Sequence, residues 1–366
     1  MDGTVDLGAK IARGTFVGTN INDIPPEMLQ NVVDKMDPED AFAFSKTGSK
    51  YRQMVTRRKN KICDKYLEDK NIGDICSKSM EASHRWCRET SNLCNKVFVD
   101  PDNLIDLGGG VYKIPDGTVV VDNRDFRSSD YDRIREVIIP NSVTKITKGA
   151  FSDFKNLVNI AIPNSVTDIG DRAFKDCTSL TSVTIPDSVT KIEFRAFFGC
   201  TSLTSITIPD SVTEIGVGAF SKCTSLTSVT IPDSVTEIKK GIFKDCTSLI
   251  SVTIPDSVTK IGQRTFHGCE SLTSVTIPNY VTRIENETFS GCRSLTSFTI
   301  PDSVAYIGLG AFGWCTSLAS ITFPDSVTEI DHGAFRNCTS LTSVTIPDSV
   351  TSIGYSIFYH CTNLRS

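Results

Sequence analysis

Thirteen cysteines and four histidines are the residues of this 366-residue chain best suited to thiol, metal or acid–base chemistry. Nine of the cysteines, Cys177, Cys200, Cys223, Cys246, Cys269, Cys292, Cys315, Cys338 and Cys361, recur every 23 residues. A thiol acts as nucleophile or metal ligand only where it ionises or where other ligands converge on it. One cysteine per interval on a single line supplies no tetrahedral set, so these thiols read as interior groups kept reduced. In the interval that lacks the cysteine, Phe154 holds its place and marks it as apolar. The histidines, His84, His267, His332 and His360, fall at unrelated places, and no nucleophile, base and acid assemble around them. Cys76, His84, Cys87 and Cys94 have no standard zinc spacing, and Trp86, Leu93 and Val97 among them suit a buried helix. The reading is a protein with no catalytic residue, no metal and no cofactor.

A repeat positions these cysteines. Prolines stand 23 residues apart at Pro140, Pro163, Pro186, Pro209, Pro232, Pro255, Pro278, Pro301, Pro324 and Pro347, the mark of a solenoid of stacked coils. In the unit from Pro186 to Ile208 the apolar positions are Val189, Ile192, Phe197, Cys200, Leu203, Ile206 and Ile208. Thr204 to Ile208 alternates, which predicts a short strand with Ile206 and Ile208 inward and Ser205 and Thr207 outward. Pro209 ends it, because proline cannot donate to a ladder. A second extended segment surrounds Val189 and Ile192, and Glu193 to Cys200 reads as a helical turn or loop. Stacking buries one phenylalanine per coil on its neighbours, at ten positions from Phe151 to Phe358. Outward Ser-x-Thr, as at Ser182 and Thr184, suits a strand surface without any ligand. Gly108-Gly109-Gly110 is followed by no Gly-Lys-Ser/Thr, so it is read as a hinge ahead of a first strand at Val119, Val120 and Val121.

The pattern C-T-S-L-T-S-V-T-I-P-D-S-V-T-E-I-G-x-x-A-F resembles the leucine-rich repeats, and among them the BspA-like type, over residues 134 to 366. That resemblance implies an α/β leucine-rich-repeat solenoid with parallel strands and a role in protein binding or adhesion. Fold alone names no ligand.

The first hundred residues differ in composition and carry no repeat. Met28, Leu29, Val32, Val33 and Met36 recur at helical spacing after Pro25 and Pro26. Asp37 reads as an N-cap with Pro38 at the first helical position, opening a helix that buries Ala41, Phe42 or Phe44. A third segment carries Tyr51, Met54 and Val55, with Arg52, Arg57 and Arg58 toward water. This run resembles an F-box: Ile24-Pro25 matches the opening pair, Glu27 and Leu29 the first helix, Met36-Asp37-Pro38-Glu39-Asp40 the central turn, and Ala43-Phe44-Ser45 with Tyr51 the third part. Ile24 and Met36 replace leucines, Tyr51 stands where tryptophan is common, and Gly48 interrupts the third part. The resemblance implies docking on a Skp1-like adaptor through Ile24, Pro25, Met28, Leu29, Val32, Met36, Pro38, Phe44 and Tyr51. The alternative is a small helical cap on the solenoid, with Met28, Leu29 and Val32 as its core. The organisation expected is a tail at 1–20, an F-box-like helical motif at 21–58, a helical linker at 59–100, an N-terminal cap at 101–133 and repeats at 134–366.

A net charge of −5 argues against a general nucleic-acid surface and against anionic membrane. No apolar run reaches the length of a membrane span, and the opening M-D-G-T-V-D-L-G-A-K lacks the basic start and apolar core of a signal peptide. An intracellular location, cytoplasmic or nuclear, is expected. Two glycosylation triplets, Asn286-Glu287-Thr288 and Asn337-Cys338-Thr339, point the other way. Identical coils cannot specify where a target sits, so aromatics that break the pattern are the candidate anchors: Phe194, Phe198, Tyr306, Trp314, Tyr355 and Tyr359. Each either presents itself to a target or packs under the loops between coils. Together these readings describe an F-box-type substrate receptor linking a target on the repeats to a Skp1–cullin ubiquitin ligase. The alternative is a BspA-like surface adhesin or antigen with no ubiquitin role.

Overall fold

The computed structural model describes residues 104–122, 126 and 130–365. The chain divides into two units, Met1–Asp100 and Pro101–Ser366, and every described residue lies in the second. The F-box-like motif with its nine candidate docking residues, the linker at 59–100 and the Cys76, His84, Cys87, Cys94 group lie outside the described residues.

Each coil turns three corners. Its first side is a strand such as Ser182–Thr184, Ser205–Thr207 or Ser228–Thr230, paired in parallel with the equivalent residues one period away, as Val183 with Ile206. This ladder runs through a nine-stranded sheet from Ile105–Gly108 to Ser274–Val275, and a three-stranded sheet carries the same strand position on from Ser297–Thr299 to Ser343–Thr345. Its middle residue is buried and its Ser and Thr are exposed, the alternation expected from the pleat. The second side is a two-residue strand, Lys191–Ile192 in one coil and Glu214–Ile215 in the next, with the isoleucine inward. Between the two sides the serine of each P-D-S-V corner, and Ser165 of the P-N-S-V corner before them, donates its hydroxyl to the valine carbonyl of the preceding coil at 2.5–2.9 Å.

The third side corrects the sequence reading. An α/β solenoid was expected, with a helical turn or a loop on this side, whereas among the described residues every regular element is a strand and this side is an arc of successive β-turns. In the unit beginning at Pro186, the amides of Ala196, Phe198, Cys200 and Leu203 bond back to Glu193, Arg195, Phe197 and Cys200 of their own coil at 3.1–3.3 Å. The intervening amides of Arg195, Phe197 and Gly199 cross to Val217, Ala219 and Ser221 of the next coil at 2.9–3.1 Å. Every amide from Arg195 to Cys200 is thereby satisfied, alternately within the coil and across it. The arc places Arg195 at φ +53° and Gly199 at φ +74°, and the equivalent two positions have positive φ in all ten coils. A helix cannot accommodate such residues every fourth position.

Gly108, Gly109 and Gly110 are a hairpin rather than a hinge. All three have positive φ and join the antiparallel strands Ile105–Gly108 and Val111–Lys113, the second of which starts the parallel ladder by pairing with Glu136–Ile138. Val120–Val121 likewise starts the second ladder.

Two of the columns that fill the interior, beside those of valine, isoleucine and leucine, carry phenylalanine and cysteine. Phenylalanines from Phe151 to Phe335 are 0–1% exposed, with neighbouring ring centroids 5.2–5.9 Å apart and planes within 15°. Each ring contributes about 1.5–3 kcal/mol by leaving water. The cysteines form the second column, and each thiol donates to the phenylalanine carbonyl of the preceding coil at 3.0–3.3 Å. Phe154 fills the corresponding place in the first coil and is fully buried.

Candidate protein-binding surface

Stacking in register turns each outward position of the arc into a row along the solenoid, so neighbours on this surface are residues about one period apart. Phe194 and Phe198 lie in such rows, half-buried. Phe194 is held between Arg172 and Arg195, whose guanidinium carbons are 4.9 and 5.0 Å from its ring centroid. Phe198 is held between Arg195, at 5.0 Å, and the ammonium of Lys222, at 5.4 Å. The result is a five-member ladder of alternating cation and ring across three coils. An open cleft of about 400 Å³ adjoins it, lined by Asp122, Tyr131, Lys148, Asp153 and Arg172.

The other aromatic candidates separate from this pair. Trp314, Tyr355 and Tyr359 stand on the arc of the last coils and are 48%, 82% and 58% exposed. The Tyr355 ring lies 5.2 Å from that of His332, and Tyr359 makes an edge contact with His360. Tyr306 belongs instead to the second ladder, where Arg283 covers its ring at 3.7 Å and its hydroxyl donates to Asp331 at 2.9 Å. Burial and that bond push its pKa up to about 12, so its hydroxyl is already committed within the fold. Sequence reasoning missed Tyr280, which is 68% exposed where other coils carry the corner serine. It also missed the cations beside Phe194 and Phe198. The signal was available only by aligning each coil with the next, which sets Arg172 and Lys222 beside the aromatic positions.

Farther along the arc Arg264 is neutralised internally. Arg264 donates through Nε and Nη2 to the two oxygens of Glu287, each at 3.0 Å. The guanidinium holds the Glu287 carboxyl below its ordinary range. His267 sits beside this pair with Nδ1 3.5 Å from Glu287 Oε2, and burial lowers its pKa.

Burial drives the thiols of Cys177, Cys200, Cys223, Cys246, Cys269, Cys292 and Cys315 well above the normal cysteine range, which makes them poor nucleophiles. Cys338 is raised too, by the neighbouring Cys361 thiol and by burial. Cys361 differs: it is 9% exposed where the others are fully buried, and the Cys338 thiol lowers it to about 7. Among the described residues no cluster of His, Cys, Asp and Glu could hold a metal. No described helix is long and apolar enough to cross a membrane. Both glycosylation triplets are built into coils. Asn286 accepts the amide of Leu309 at 3.0 Å, Thr288 is buried with its hydroxyl on the Glu285 carbonyl, and Cys338 is interior.

The BspA type leucine rich repeat region matches residues 123–250 and 236–365, and the F-box domain matches residues 21–63. A leucine-rich repeat protein from Bacteroides ovatus is similar in structure, with 29% identity, a TM-score of 0.55, and coverage of 74% of this chain and 86% of that one. A leucine rich cell surface protein from Faecalibacterium prausnitzii is 32% identical with a TM-score of 0.44, over 71% of this chain and 85% of that one. No curated protein matches the chain in sequence. An F-box domain followed by leucine-rich repeats makes a protein-binding scaffold. With repeat matches spanning residues 123 to 365, the chain belongs to the BspA-type leucine-rich repeat family and carries an F-box domain ahead of its solenoid.

Proposed function

We propose that the chain is a substrate receptor: its F-box domain docks on a Skp1-like adaptor of a cullin ubiquitin ligase while the solenoid holds a protein target. The observation that carries this reading is the F-box domain at residues 21–63 on the same chain as a repeat array offering row after row of outward positions. Ile24, Pro25, Met28, Leu29, Val32, Met36, Pro38, Phe44 and Tyr51 supply the apolar docking edge. Such a receptor is non-catalytic, since it positions the target while other subunits transfer ubiquitin. It works in the cytoplasm or nucleus. The cysteine column supports that location, because thiols repeated at the roughly 5 Å spacing of parallel strands would cross-link in an oxidising compartment.

Co-purification of Skp1 with the full chain tests the proposal. Leu29→Asp places an unpaired charge in the docking edge, a penalty of several kcal/mol that raises a micromolar Kd by more than about a hundredfold. The solenoid should melt unchanged in that variant. A folded wild-type chain that leaves Skp1 in the flow-through ends this reading in favour of the surface adhesin.

A further inference from the structure

The ninth position after each proline sits at positive φ on the arc, and two stretches of the solenoid use it differently. In one, Arg264 and Glu287 occupy it in successive coils and form the bidentate pair. In the other the successive occupants are Arg172, Arg195 and Gly218, at φ +53°, +53° and +65°. Arg195 reaches toward the next coil, since a Cβ on Gly218 would lie 3.4 Å from its Cγ and 3.9 Å from its Nε. No carboxylate waits there. Among the described residues Arg172, Arg195 and Lys222 make no ion pair. Three cations in consecutive coils repel one another, and the two rings between them hold the half-buried guanidinium groups in place. A planar guanidinium fork presented this way fits a carboxylate.

We propose that the arc of the coils from Pro163 to Pro209 is a docking surface for an acidic segment of a protein target. The segment runs along the solenoid, its carboxylates on Arg172, Arg195 and Lys222 and its apolar groups on Phe194 and Phe198. This rests on the reading that the repeats hold a protein target, and charge complementarity selects the occupant. A long nucleic-acid chain, which would extend beyond the three cations, is disfavoured by the net charge of −5.

The test uses the full chain and a fluorescein-labelled peptide of alternating glutamate and glycine, followed by anisotropy, with the glutamine–glycine peptide as control. The glutamate peptide should bind and the glutamine peptide should not. Arg195→Ala should weaken binding at least about tenfold, the loss of about 1.4 kcal/mol. Gly218→Glu should weaken it as much, by setting a carboxylate over Arg195 as Glu287 sets one over Arg264. That variant keeps its fold, because Glu287 already occupies the same position at φ +55°. Glu287→Gln, which alters the other stretch, should not weaken binding. Equal binding of the two peptides, or wild-type affinity in both Arg195→Ala and Gly218→Glu, overturns the proposal. So does a single-stranded RNA of equal charge that binds more tightly and is lost in the same variants. Skp1 co-purification should survive all three substitutions, so loss of the peptide site and loss of the adaptor are read separately.

Discussion

The coils beginning at Pro186 and Pro255 share a backbone and a core and differ on one surface. Phe197 and Phe266 are equally buried, Cys200 and Cys269 bond the equivalent carbonyl, and Arg195 and Arg264 have φ of +53° and +58°. Yet Arg264 faces Glu287 across the coil boundary, and Arg195 faces Gly218. Interior columns are held uniform because any odd residue disturbs two neighbouring coils, whereas outward rows are free to vary. Stability therefore belongs to the repeat and specificity to its exceptions.

The largest test of that division is in the core. Phe197→Ala and Phe266→Ala should each cost about 3–5 kcal/mol, because each removes a fully buried ring between two stacked neighbours. Urea unfolding of the full chain should give similar losses for both. A difference of more than about 2 kcal/mol would mean that the two stretches do not share one core.

A smaller effect is expected in the row seven residues after each proline, where glycine occupies every second coil: Gly170, Gly216, Gly262, Gly308 and Gly354. A Cβ on Gly216 would stand 2.5 Å from the carbonyl carbon of Glu193, and one on Gly262 would stand 2.6 Å from the amide nitrogen of Lys240. Neither contact is with a flexible side chain. Gly216→Ala and Gly262→Ala should each lower stability by about 1–3 kcal/mol through overpacking. Calorimetry that finds either neutral would show that neighbouring coils can slide apart.

The smallest effect separates the two stretches. The Glu287 carboxyl is depressed from an ordinary value of 4.5 by Arg264, so its contribution is complete above that value and is lost as pH falls through the lower folded value. The pair is partly exposed and is worth about 0.2–1 kcal/mol. Arg264→Gln should therefore reduce the loss of stability between neutral pH and the acid side of the carboxylate range, while Arg195→Gln should leave it unchanged. Equal acid sensitivity in wild type and Arg264→Gln would remove the distinction between a paired and an unpaired arginine.

Period, core columns and strand faces were legible in the sequence, because stacking sets like on like and one unit describes all. Pro209 ends a strand, Ile206 points inward and Phe154 stands in for cysteine by rules local to a few residues. The arc was not legible in that way. Whether Arg195 or Trp314 adopts positive φ is decided by amides that must cross to the next coil, and neither side chain announces it. The candidate site was half legible. Phe194 and Phe198 stood out as exceptions to the repeat, but their exposure, their separation from Trp314 and Tyr355, and the cations that flank them depend on contacts about 23 residues away. Sequence by itself determined what repeats, since periodic burial needs only the order of residues. Tertiary structure alone decided which exceptions meet, because side chains from different coils become neighbours only when the coils are stacked.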